Sequence, residues 1–436
     1  MNTRRITGCL VSGLLLLAVA SWARDLSVVA PATVGMSATR LARIGETFQK
    51  EIDQGKLPGV ILLVARKGSL AYSEALGVQD RSTGKRMNQD AIFRIYSMTK
   101  PLVSVAAMML VEDGRMQLTD PVSRHLPALK SLQVSVAKTD AEFARTAYGL
   151  SATDREMTVH DLLRHSAGLA YGEITQNAPV KEAMLKAGLF KTDIEFDARD
   201  LAPGEQVERL AKVPLAHQPG TVWEYSFASD LLGRVVEAAA GERLGDFLAR
   251  RLFGPLKMTD SAFHIPNHKL NRLAQPLAID PASGKAIRLI DVTDVPASDS
   301  GGAGAVSTAA DYLRFAQMMA NGGQLDGVRV LSRSTVSLMT SDHLGSRIAA
   351  SPTPGELLLG TPGYTFGLGF AVRQGAGMAG IPGSAGEFMW GGYGGTFFWI
   401  DPKEELVAVY MSQAPGPMRQ HYRRLFKALV YAAIAD

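Results

Sequence analysis

The sequence predicts a mixed α/β (α+β) protein: an antiparallel sheet built from both chain ends, flanked by helices, with a helical domain inserted between them. Three observations predict it. Apolar, strand-like runs gather at residues 59–77 and return at 364–411. The stretch between them, about 101–299, reads mostly as helical patches broken by Pro and Gly. Of the 436 residues, 46% are hydrophobic and 20% charged, which suits a large buried core and argues against disorder.

The chain opens "MNTRRITGCLVSGLLLLAVASWARD". Arg4 and Arg5 precede an uncharged apolar run, Ile6 to Ala20, and small residues then offer cleavage positions near Ala20 or Ala23. This is the pattern of a secretory signal over 1–23, too short and wrongly flanked for a permanent span. The expectation is a secreted or periplasmic protein with no stable membrane insertion. Ile6-Thr7-Gly8-Cys9 only faintly resembles a lipobox, because the apolar run follows the cysteine. Cys9 is the only cysteine, so the mature chain would hold no disulfide and no thiolate chemistry. The formal net charge of +4 is small, and no basic run with interleaved aromatics supports a nucleic-acid partner.

Ser37 to Gln54 has helical spacing, with Leu41, Ile44 and Phe48 on one face and Gly55 as its stop. "GVILLVARKGSLAYSEALG" reads as two strands joined at Lys67-Gly68. A long helix is expected from near Ser97 to Gly114, its buried face made by Leu102, Val105, Ala106, Met109 and Leu110, with Pro101 in the first turn. Helices follow at Ser229–Ala240, stopped by Gly241, and at Leu244–Leu252. "SGGAGAVSTAADYLRFAQMMANGG" is a glycine-rich loop feeding a helix capped by Thr308. Residues 342–363 read as a long loop of the kind that rims a site. Strands are expected at 364–373, 386–391, 396–400 and 405–411, and a last amphipathic helix at about 417–434. The division is therefore 24–100 with 300–436 as the sheet domain and 101–299 as the helical one, the active site between them.

Three stretches could carry chemistry. Ser97-Met98-Thr99-Lys100 places an amine one helical turn from a hydroxyl, where orphan N–H groups add positive potential. A lysine desolvated there loses basicity and can take the serine's proton. The pattern is cheap: Ser135-Val136-Ala137-Lys138 repeats it, and reads as surface. In "WEYSFASD", Tyr225 sits just before a helix, where a phenol near ammonium groups can act as a base or simply pack. In "FMWGGYGGTFFWIDP", glycines after Trp390 would let a substrate approach the backbone, with the Tyr393 N–H as an oxyanion donor, or else mark a bulge. No Gly-x-Ser-x-Gly, His-Glu-x-x-His or phosphate loop occurs. His160 and His165 are expected to pack or cap, and Pro266 argues against a metal-binding helix across His264 and His268. Neither metal nor cofactor is expected.

Taken together, these stretches resemble the serine β-lactamase and penicillin-binding-protein superfamily, over about residues 30–430. "LLRHSAGL" and "SGGAGAVSTAADYLRF" match further segments of it. Class C β-lactamases carry Asn two residues after the tyrosine and Lys-Thr-Gly on the strand; here these positions hold Phe227 and Trp390-Gly391-Gly392. Those departures look like family VIII carboxylesterases. The resemblance implies Ser97 as nucleophile, Lys100 with Tyr225 handling its proton, and the N–H groups of Ser97 and Tyr393 as oxyanion hole. It implies Trp390, Gly391, Gly392 and Phe227 as substrate-binding positions, and an apolar indole at 390 suits a neutral acyl group. The expected substrate is a small ester, or an amide if the chain is a β-lactamase or D-alanyl peptidase. A binding protein that kept the fold without turnover stays open.

Overall fold

The computed structural model describes residues 26–140, 145–189 and 199–436. The expected signal segment, 1–23, lies outside these residues. One eight-stranded sheet dominates. Its strand order is Tyr364–Phe366, Ala371–Arg373, Phe388–Gly391, Phe397–Asp401, Leu406–Ser412, Gly59–Arg66, Ser69–Asp80, Lys85–Arg86, all neighbours antiparallel. The two chain ends meet in its centre, where Val60–Arg66 pairs with Leu406–Ser412 in unbroken register. Both of these strands are buried along their whole length, as a strand covered on both faces must be.

Neighbouring residues of one strand show what covers each face, because successive side chains point oppositely. Phe398 packs on Tyr312 of the helix Ala309–Ala320 at 4.9 Å between ring centres. Trp399, the next residue, meets Phe426 of the C-terminal helix Arg419–Ala432 at 5.3 Å. The two helices therefore clasp the sheet from opposite sides. Ser37 and Thr308 cap the helices Ala38–Asp53 and Ala309–Ala320 through their side-chain oxygens, and Gly241 ends Ala228–Ala240 in the left-handed region.

Four sequence expectations need correction. Residues 133–152 form an antiparallel hairpin, Gln133–Asp140 with Arg145–Ala152, within the stretch read as helical patches. The alternation in Gln133-Val134-Ser135-Val136, with its β-branched residues, is the signal that reading passed over. Ser135 is consequently buried, its hydroxyl donating to Asn177 Oδ1 at 3.0 Å, while Lys138 alone of that pair is exposed. The stretch 342–363 contains a short helix, Pro354–Leu359, held by a Thr353–Glu356 capping box and closed by Gly360. Finally, the helix after Ser97 has no single buried face: every residue from Thr99 to Leu110 is buried, as befits a helix at the centre of the molecule. Among the described residues no helix is long and apolar enough to cross a membrane.

Candidate active site

The short strand Ile92–Arg94 pairs with Val306–Thr308 and delivers the chain to the start of the central helix. Between them lies one 3-10 turn, Tyr96–Met98. Tyr96 takes φ +45°, a conformation that costs a bulky residue about 1–2 kcal/mol. It is held there by Ile290 N–H, which donates to its hydroxyl at 2.9 Å. The helix Thr99–Glu112 then starts with Pro101 in its first turn, and the Ser97 hydroxyl is left partly exposed beside the helix.

Two sequence-predicted groups come together on that hydroxyl. The Tyr225 phenol donates to Ser97 Oγ at 2.5 Å, and Lys100 Nζ lies 3.3 Å from the same oxygen. Lys100 is 1% exposed and its remaining neighbours are the Gly302 carbonyl at 2.8 Å and the Tyr171 hydroxyl at 3.0 Å. Burial brings its pKa down to about 7, a nearby Asp230 opposing the shift. A neutral amine has two N–H groups and one lone pair. Gly302 O and Tyr171 O accept the two N–H groups, which leaves the lone pair for the Ser97 proton. The Tyr225 phenol behaves oppositely: burial pushes it up, so it holds its proton at neutral pH, and the idea that it ionises to a base does not suit this environment.

Tyr171, Asp230 and Gly302 were not singled out in the sequence. Asp230 accepts Ser300 Oγ at 2.5 Å and Gly302 N–H at 3.1 Å, and is hydrogen-bonded to Tyr171. Gly302 must be glycine, since a Cβ would sit 2.1 Å from the Asp230 carboxylate. The signal was available: "LLRHSAGLAY" ends on Tyr171, "YSFASD" on Asp230, and "SGGAG" contains Gly302. Gly302 and Asp230 thus lie inside stretches that carried the resemblance, and Tyr171 lies two residues beyond another.

The other predicted positions divide. Gly391, Gly392 and Tyr393 line, with Ser97 and Tyr225, a cleft of about 320 Å³. Trp390 and Phe227 are buried behind that surface. Trp390 packs against the Tyr225 ring at 5.4 Å and Phe227 against Tyr171 at 5.4 Å. The indole is therefore a backing for the phenol, and the expectation that it faces an acyl group is corrected. The glycines also serve the protein's own atoms. A Cβ on Gly392 would lie 2.3 Å from Ile95 O, and one on Gly391 would lie 2.9 Å from the Arg423 guanidinium. They bring the turn after Trp390 against the residues that precede Ser97.

Ile174, Leu357 and Leu358 add apolar wall to the cleft, and Glu173, Arg419 and Arg423 add charge. A larger groove, about 700 Å³, shares Tyr393 and Arg419 with it and continues past Lys285 and Arg288. His165 packs behind the Tyr225 ring at 5.1 Å, and His160 Nε2 is 2.8 Å from His343 Nδ1.

Comparison with known proteins agrees with this architecture. The Beta-lactamase family model matches residues 44–432. Esterase EstB of Burkholderia gladioli is 31% identical over 387 residues, 84% of this chain and 88% of its own. Lovastatin esterase of Penicillium rubens is 29% identical over 391 residues, 85% of this chain and 92% of its own. The solved structure of EstCE1, described as a hydrolase with promiscuous acyltransferase activity, has a TM-score of 0.72 at 27% identity, covering 90% of this chain and 99% of that one. The chain belongs to the beta-lactamase family and is a serine hydrolase of the β-lactamase fold.

Proposed function

We propose that this enzyme hydrolyses carboxylic esters of short or medium acyl chains through an acyl-enzyme on Ser97. The observation that carries the reading is the Ser97 hydroxyl held between a protonated phenol and an amine that is about half neutral near pH 7. Lys100 takes the Ser97 proton as Oγ attacks the ester carbonyl. The N–H groups of Ser97 and Tyr393 receive the tetrahedral oxyanion. On collapse the alkoxide leaves with a proton returned from Lys100 by way of the Tyr225 hydroxyl. A water, deprotonated by the same amine, then attacks the acyl carbonyl and restores Ser97.

The ester preference is supported by the two relatives named esterases and by the apolar wall of Ile174, Leu357 and Leu358. One observation favours a second reading. Arg419 and Arg423 put cations in the cleft, although the strand lysine of class C β-lactamases is absent, and a β-lactam carries a carboxylate that such cations attract. Purified protein given nitrophenyl butyrate and a chromogenic cephalosporin separates the two. Ester turnover that disappears in Ser97→Ala is expected. Rapid cephalosporin turnover with negligible butyrate hydrolysis would transfer the assignment to the lactamase. Lack of labelling by a fluorophosphonate would remove the serine chemistry altogether.

Export to the periplasm or beyond is part of the proposal, resting on the sequence of residues 1–23 alone. Amino-terminal sequencing of the native protein is expected to begin just after Ala20 or Ala23.

A further inference from the structure

Arg423 does something that its position in the sequence does not announce. It is 4% exposed, on the C-terminal helix, and lines the cleft that holds Ser97. Its acceptors are carbonyls: Gly392 O at 2.8 Å, Thr396 O at 3.3 Å and Leu358 O at 3.0 Å. Among the described residues no carboxylate forms an ion pair with it, and its buried Nε has no hydrogen-bond partner. Burying a cation without a counter-charge is expensive, so a structural reason alone is a poor account of it. Burial pulls the guanidinium pKa down, yet it remains a cation at neutral pH.

The geometry shows where the charge is applied. Gly392 O and the Tyr393 N–H belong to one trans peptide plane, so they point in opposite directions. A charge-assisted bond to the carbonyl fixes that plane and polarises the N–H at its other edge. Arg419, one turn earlier on the same helix face, donates to Tyr393 O at 2.9 Å and stacks on the Tyr393 ring at 4.6 Å. Thr396 Oγ1 ties the far end of the turn to Ile95 O at 3.2 Å, two residues from Ser97. Gly391 is what admits Arg423 to this position, since any Cβ there would collide with the guanidinium.

We propose that Arg423 is a positioning residue for the oxyanion hole: it orients and polarises the Gly392–Tyr393 peptide and adds a buried positive charge behind the developing anion. This rests on the reading above in which the Tyr393 N–H binds that anion. The role is electrostatic and belongs to the transition state, so it should appear in kcat and leave KM alone.

The test uses the mature enzyme with Arg423→Met and Arg423→Lys, an ester substrate, and benzeneboronic acid, which becomes a tetrahedral anion when Ser97 adds to it. Removing a whole oxyanion donor costs about 10²–10³ in kcat, so weakening one should cost about 10–100-fold in Arg423→Met. KM should stay within about twofold and the boronate affinity should fall in step with kcat. Arg423→Lys keeps the charge without the fork and should lose less, about 3–10-fold. Melting curves identify folded variants; if Arg423→Met does not fold, Arg423→Lys carries the test. A folded variant with unchanged kcat and unchanged boronate affinity overturns the inference, as does a rise in KM at constant kcat. Ser97→Ala run in parallel keeps the two claims apart. If it retains turnover, the Ser97 reading fails. If it is inactive while folded Arg423 variants work normally, only the present inference fails.

Discussion

Among the described residues two lysines are buried to nearly the same degree, and they are placed in opposite company. Lys427, on the C-terminal helix, is fully buried with Nζ 2.8 Å from the equally buried Glu387 carboxylate. Trp399 and Tyr431 pack over the same ammonium at 4.5 and 5.1 Å. Lys100 meets a carbonyl and two hydroxyls, and the carboxylate that acts on it, Asp230, does so without a hydrogen bond to the amine and is itself bonded to Tyr171. Burial lowers the basicity of both amines, and only at Lys427 does a carboxylate in direct contact oppose it. The difference teaches that burial supplies the tendency to lose a proton and the neighbour decides whether it is used. A contact carboxylate makes a lysine structural; a ring of neutral acceptors makes it a base.

The largest effect should come from abolishing one side of this contrast. Lys100→Met is expected to lower kcat by about 10³-fold or more, because neither water nor Tyr225 can replace an oriented base. The same variant should be no less stable than the parent at pH 7. A lysine with a folded pKa near 7 against an ordinary 10.5 costs about 4 kcal/mol at pH 7, and removing it offsets the loss of its two acceptors. Measured unfolding well below the parent's, with activity retained, would invert the comparison. Lys427→Met should do the reverse. It removes the contact cation of buried Glu387 and leaves it Arg373 at 4.0 Å and the hydroxyls of Tyr364 and Tyr431, for a loss of about 3 kcal/mol, while activity per folded molecule stays within about twofold. Denaturant unfolding and active-site titration measure the two halves separately.

A smaller effect sharpens the same point through pH. The folded pKa of Lys100 is lowered, so kcat/KM should rise with pH through about 7 as the amine loses its proton. The linked stability has a definite sign. Between about 7 and 10.5 the unfolded chain binds the proton and the folded one does not, so Lys100's contribution to stability rises with pH across that window. Asp230 raises the lysine's pKa, and Asp230→Asn should move the acid limb of the kcat/KM profile downward by about one unit or less. An upward shift, or none, would show that the carboxylate does not act on this amine.

Much of the site was legible because its parts are local. Ser97 and Lys100 are one helical turn apart, so their proximity follows from helix geometry once the helix is recognised. Tyr225 and the glycine turn were legible only through their resemblance to known segments, since no local rule places a phenol 128 positions away on a serine. Tyr171, Asp230 and Arg423 stayed hidden for a related reason: a buried polar residue takes its meaning from partners that sequence spacing does not list. The hairpin at 133–152 was missed where weak alternation competes with helical punctuation, and the buried Ser135 in it is bonded to Asn177, a partner that spacing does not list.

The sequence by itself determined the alternation and apolar runs that make the sheet, the capped helices, and the serine–lysine pair on its helix, because these depend on periods of two and 3.6 residues. Tertiary structure alone decided that Trp390 backs a phenol, that the glycines admit Ile95 and Arg423, and that one buried lysine meets a carboxylate while the other meets none. Those outcomes depend on which surfaces are brought together across hundreds of residues, where desolvation and a contact of a few ångströms set the chemistry.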